Sequence, residues 1–192
     1  MSLRLYLAGP DVFRPDAAER GAALKALCAS LGVEGLYPLD GTTTDIRGRC
    51  IAMIHEADAI IADISPFRGV HMDPGTAFEI GYGEALGKPF FLWSQEGRTL
   101  TERVPADERG RDAQGHLVED FGKPENLMIV PDGQRVWSSP AEAIAEAVEA
   151  LSFTSKNRQL QRQTRAAVLV AIGVSLIVAL SAGMVVDWLV GW

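Results

Sequence analysis

Through its first 150 positions the chain alternates short apolar runs with longer stretches whose apolar residues recur at helical spacing. Residues 3–7 read as a buried strand ending in the tight turn Ala8-Gly9-Pro10. From Asp16 a helical pattern carries Ala23, Leu24, Leu27 and Leu31 and stops at Gly32. A short strand is expected at 35–38. Thr44 or Asp45 can then cap a helix that runs through Ala57 with Ile51 and Ile54 on its apolar side. Residues 59–64 form another apolar run, left through the loop Ser65-Pro66-Phe67-Arg68-Gly69, and 89–93 a third. Residues 94–125 are polar, Gly-rich and without period, and read as a surface loop or lid. Segments 127–130 and 135–137 are strand-like, and Ser139 caps a final amphipathic helix over 140–151. This alternation predicts an α/β fold with a doubly wound, mostly parallel sheet. Its ligand site belongs at the carboxyl ends of the strands, where the loops after Leu7, Asp63 and Trp93 converge.

The helix expected over 73–86 has the most explicit punctuation. Asp73 suits the N-cap, Pro74 the first helical position, and Gly87 followed by Pro89 a left-handed stop. Gly75, Glu79 and Gly83 are four apart and so share a face. That face has two readings: the glycines leave room for a ligand beside the carboxylate, or they let helix and strand pack closely.

The tail departs from this pattern. Residues 166–186 contain no charge and are apolar around every helical face, a length that spans a bilayer. Trp188 and Trp192 stand where interfacial aromatics belong. The stretch 152–165 carries Lys156, Arg158, Arg162 and Arg165 and no acid, which favours the cytoplasmic side. The expected organisation is therefore an α/β domain over 1–151, a basic linker over 152–165, a transmembrane helix over 166–186 and a short tail, 187–192. Localisation follows as a single-pass C-terminal membrane anchor with the domain in the cytoplasm.

Charge narrows the partners. The 192 residues have a formal net charge of −7, and residues 1–150 alone hold 14 Lys/Arg against 24 Asp/Glu. So acidic a body argues against nucleic acid, which needs basic surface. Cys28 and Cys50 have neither metal nor redox spacing and read as reduced intracellular thiols. His55, His71 and His116 have no ligand spacing, and Gly9-Pro10 lacks the continuation of a dinucleotide loop, so neither metal nor cofactor is expected. What remains is a set of carboxylates at strand and helix ends: Asp63, Asp73 and Glu79. Such groups around one cleft can do nucleophilic and acid–base work on a glycosidic bond.

The segments Tyr6-Leu-Ala-Gly-Pro10, Ala57-Asp58, Ala62-Asp63-Ile-Ser-Pro-Phe-Arg-Gly69, Asp73-Pro-Gly-Thr-Ala-Phe-Glu-Ile-Gly-Tyr82, Gly87-Lys-Pro89 and Asn126-Leu-Met128 follow one another in a telling order. In order and spacing, over residues 3–150, they resemble the nucleoside 2-deoxyribosyltransferase family. The resemblance implies a flavodoxin-like fold and a double displacement at the anomeric carbon of a 2′-deoxynucleoside. Glu79 matches the nucleophile, Tyr6 the phenol that positions it, and Asp73 the carboxylate that holds the sugar, chiefly its 5′-OH. Gly9, Gly75 and Arg68 are expected among the substrate-binding residues, and Asp63, which with Arg68 would lie near the base, among the catalytic ones. Asn126 matches an amide supplied by a neighbouring subunit, which implies a homo-oligomer. One position departs: the family usually has Asp or Asn where Cys50 stands, which bears on base preference and leaving-group protonation.

The leading expectation is thus retaining cleavage of the N-glycosidic bond through a deoxyribosyl-Glu79 intermediate, passed to another nucleobase or to water. Two alternatives are a 2′-deoxynucleoside 5′-monophosphate N-hydrolase and a non-catalytic membrane-anchored nucleotide sensor. Relatives acting on monophosphates tend to carry a small hydroxyl residue where Asp73 stands. A carboxylate there would repel a phosphate dianion.

Overall fold

The computed structural model describes residues 2–41 and 44–191, save the side chains at 158, 159, 170, 174 and 176–190. It divides into two compact units, Met1–Glu149 and Ala150–Trp192. In the first, five strands pair in one parallel sheet: β1 (Arg4–Ala8), β2 (Glu34–Leu36), β3 (Ala59–Asp63), β4 (Phe90–Trp93) and β5 (Val136–Trp137). Their order is β2-β1-β3-β4-β5, the flavodoxin-like arrangement, whose switch point lies between β1 and β3. The helices are α1 (Ala17–Ser30), α2 (Ile46–Glu56), α3 (Pro74–Ala85), the single turn α4 (Leu100–Arg103) and α5 (Pro140–Val190).

Strand alternation assigns the two faces of the sheet. On one, Tyr6, Ala8, Ile60, Ala62 and Leu92 pack with Met53 and Ile54 of α2 and Ile80 of α3 in a single core. Gly83 lets α3 come down onto this face: a Cβ there would fall inside contact distance of Ile60 Cδ1. On the other, Leu7, Ile61 and Asp63 lie near Leu24 of α1 and Tyr37. Glycine is also needed at Gly21, where a Cβ would meet the Tyr37 ring. The Tyr37 hydroxyl donates to Ala17 O at 3.2 Å and ties the loop after β2 to α1.

Three expectations are corrected. Residues 127–130 are not a strand: Ile129 and Val130 N–H both return to Asn126 O, at 2.9 and 3.0 Å, and Asn126 Oδ1 accepts from Met128 N–H at 2.8 Å. The Asn side chain imitates a turn and takes the amide a ladder would need. Residues 94–125 are more structured than a periodless lid, since Thr99 and Glu102 form a capping box around α4.

The third concerns the membrane. Among the described residues no helix is long and apolar enough to cross one, so the transmembrane helix and the membrane-anchored localisation do not hold. The expected span is part of α5, a helix of 51 residues that already begins at Pro140. Where its side chains are described it carries Glu142, Glu146, Glu149, Lys156, Arg162 and Arg165. No stretch of α5 whose side chains are described is both long and apolar enough to span a membrane. Most of 166–186, with Trp188 and Trp192, lies outside the described side chains.

Candidate functional site

Tyr6, in the middle of β1, is fully buried, and its hydroxyl donates to Glu79 Oε1 of α3 at 2.5 Å. Such a length belongs to a hydrogen bond onto a carboxylate, worth about 1.5–3 kcal/mol. Burial raises the Glu79 carboxyl to about 7 and the charge of Asp73 adds to this, against the hydrogen bonds from Tyr6 and Cys50. The Tyr6 phenol moves up as well, by burial first and then by the Glu79 charge, so it stays protonated and remains the donor. Glu79 lies in the second turn of α3, beyond the first turn where a helix N-terminus steadies an anion. Desolvation therefore outweighs the dipole.

Cys50 reaches the same point from α2. Its thiol lies close enough to Tyr6 and Glu79 to bear on the charge of both. Burial is the main reason the thiol is raised, which keeps the proton on sulfur and available to Glu79.

Asp73 is the N-cap of α3, with Pro74 at the first helical position, as the punctuation of the sequence predicts. Its Oδ2 accepts from Thr76 N–H at 2.9 Å and from Thr76 Oγ1 at 3.2 Å. Gly75 belongs to this cap, since a Cβ there would stand 2.9 Å from the same oxygen. The two glycines of the Glu79 face thus have different reasons: Gly83 for packing on β3, Gly75 for the Asp73 carboxylate.

Asp63 is placed elsewhere. The last residue of β3, it points to the face opposite Tyr6 and lines a cavity of about 10 Å³ with Gly9, Asp11, Tyr37 and Trp93. Burial raises its carboxyl, against the bond that Oδ1 accepts from Ser65 N–H at 2.9 Å. Gly9 is the closest neighbour across the switch point, where a Cβ would stand 3.0 Å from Asp63 Cβ. Arg68 holds φ at 55°, a left-handed conformation few arginines adopt. Its guanidinium lies over the rings of Phe13 and Phe67, at 4.9 and 4.7 Å.

Asn126 leads a turn in which its Nδ2 donates to Glu119 Oε1 at 2.5 Å. Beside it stands a residue that the sequence pattern does not single out. Glu125 is 2% exposed. Its Oε1 accepts from His71 Nδ1 at 2.7 Å and from Asn126 N–H at 3.0 Å, and its Oε2 from Met72 N–H at 2.8 Å. Arg103 of α4 bridges the same segments, donating to Val70 O at 2.5 Å and also to Pro124 O. Of the expected residues, the structure gathers Tyr6, Glu79, Asp73 and Gly75 on one side, with Cys50 added. Gly9 and Asp63 sit together across the sheet, while Arg68 and Asn126 occupy separate loops. Among the described residues no group of His, Cys, Asp or Glu could hold a metal ion.

The strand order and the phenol–carboxylate pair define a flavodoxin-like α/β protein with a carboxylate held by a buried phenol. The family model described as nucleoside 2-deoxyribosyltransferase matches residues 5–128, and the chain belongs to that family. A solved structure, a 2-desoxiribosyltransferase from Leishmania mexicana, is 42% identical, covering 77% of this chain and 97% of its own, with a TM-score of 0.68. An uncharacterised protein of Schizosaccharomyces pombe is 38% identical over 155 residues, 65% of this chain and 74% of the relative.

Proposed function

We propose that the protein cleaves the N-glycosidic bond of 2′-deoxynucleosides with retention, through a covalent intermediate on Glu79. The observation that carries this reading is the 2.5 Å bond from the buried Tyr6 to the half-buried Glu79. A carboxylate held by a neutral phenol is oriented without being neutralised, which suits a nucleophile. One carboxylate oxygen forms a bond to the anomeric carbon as the bond to the base nitrogen breaks, and the base leaves with a proton from an acid or from solvent. A second base, or water, then displaces Glu79 from the same face, and two inversions give retention. A sugar lacking its 2-hydroxyl reaches an oxocarbenium-like state readily, so one well-placed carboxylate suffices.

Asp73 is assigned to the sugar, with its Oδ2 committed to the helix cap and Oδ1 turned to the 5′-OH. Asp63, with Gly9 and Arg68, is assigned to the base end, on the family motif. The amide of Asn126 is assigned to a neighbouring subunit's site in a homo-oligomer. Beside it lies a groove of about 410 Å³ lined by Phe121, Leu127 and Met128. Exposed apolar side chains in a contiguous patch support an interface there.

The experiment is incubation with deoxyadenosine, with and without a second free base, followed by mass spectrometry of the quenched protein. A deoxyribosyl adduct on Glu79 and a new nucleoside are expected, and Glu79→Ala should give neither. Because Ala is the better helix former, the variant should remain folded. An adduct on another residue, or wild-type rates in the variant, would overturn the assignment.

A further inference from the structure

Glu125 combines nearly complete burial with contacts to two segments distant in sequence. Its carboxylate accepts from the backbone N–H of Met72, the residue before Asp73, and from the backbone N–H of Asn126. These partners lie on either side of a long excursion, Met72 being 53 positions away. His71 supplies a third bond, onto the same oxygen as Asn126. Arg103 ties the flanking carbonyls of Val70 and Pro124. A buried carboxylate is stable only where donors surround it, and here two of the donors belong to the backbone that bears Asp73 of this site and Asn126, whose amide is assigned to a neighbouring subunit's site.

We propose that Glu125 is a positioning residue: one buried carboxylate sets the backbone of Met72-Asp73 and of Asn126 together and so aims Asp73 at the 5′ end of the sugar. This rests on the proposed function, in which Asp73 receives the 5′-OH. Glu125 itself touches no substrate. A purely structural staple predicts a loss of stability that falls equally on all substrates. A positioning residue predicts a loss that depends on the substrate having a 5′-OH.

Glu125→Gln keeps the shape but replaces one acceptor oxygen with an N–H₂ that must face a donor. The test compares kcat and KM on deoxyadenosine and on 2′,5′-dideoxyadenosine for wild type, Glu125→Gln and Asp73→Ser, with thermal unfolding of each. Wild type should prefer deoxyadenosine by at least about tenfold in kcat/KM, the size expected for a polar group left unpaired. In Glu125→Gln most of that preference should disappear through KM, with kcat changed less than about twofold. A fourth protein carrying both Glu125→Gln and Asp73→Ser should be no less selective than Asp73→Ser alone, since both changes act on one contact. If Glu125→Gln does not fold, His71→Ala, which removes an exposed partner of the same carboxylate, should lower the preference in the same direction. A wild-type preference that survives in full in the folded variants overturns the inference and leaves the proposed function standing. A wild type that turns over deoxyadenosine but ignores the 5′-OH overturns the role given to Asp73 and this inference with it.

Discussion

In the proposed mechanism Glu79 must be ionised to attack, yet its surroundings favour the neutral acid. Burial and the nearby Asp73 raise the carboxyl to about 7, against the hydrogen bonds from Tyr6 and Cys50. The acidic limb of kcat/KM should therefore lie near pH 7, with turnover rising as pH rises through it. Removing one of the two donors, in Cys50→Ala, should move the limb to higher pH, which a pH–rate profile of both proteins reads directly. A limb that stays in place would deny the thiol its part. The same shift has a consequence for stability. A carboxyl whose folded value lies above its ordinary 4.5 favours folding most below pH 4.5, and that contribution is lost as pH rises through about 7. At full burial the difference would be about 3 kcal/mol, and the part of Glu79 that water reaches reduces it.

At the scale of elements, α3 is both a packing helix and the carrier of the pair. Gly83→Ala separates these jobs. On an open helix the change would stabilise by about 1 kcal/mol. Here the added methyl meets Ile60, and the core should lose about 1–3 kcal/mol, read as a lower urea midpoint. An unchanged or higher midpoint would mean that α3 rests less tightly on β3.

Much of this architecture is legible in sequence, because apolar runs and caps are local signals. Asp73-Pro74 and Gly87 bracket α3 closely, and the runs at 3–7, 59–64 and 89–93 mark the three central strands. The lone turn α4 carries its own signature, Thr99-x-x-Glu102, but is too short to show a period. Glu125 is illegible since its partners are set by the return of the chain and not by spacing. Asp63 is legible as a strand end, but its face is not. Only the pairing of Leu7 with Ile61, and of Tyr6 with Ile60, shows that Asp63 and Tyr6 look away from each other.

For the molecule as a whole, the exposed apolar residues near Asn126 carry the remaining prediction. Met128 is 76% exposed and Phe121 53%. Burying a pair of such side chains in an interface favours association, and a charge placed among them opposes it. Met128→Asp should lower the mass measured by light scattering to that of a smaller assembly and reduce activity together with it. A variant with unchanged mass and wild-type turnover would move the interface elsewhere.

The Tyr6–Glu79 bond joins residues 73 positions apart, one on the first strand and the other on the helix that follows the third. During synthesis the phenol leaves the ribosome long before its carboxylate partner, and Glu125 later still. The first strand must wait beside an incomplete sheet until β3 pairs with it and α3 closes over the top. The carboxylate proposed as nucleophile thus acquires its orientation only at the end of a long-range parallel closure, the slow kind of contact in folding. If Glu79 acts as proposed, catalytic competence is a late acquisition, and a nascent chain already rich in helix would still lack its oriented carboxylate.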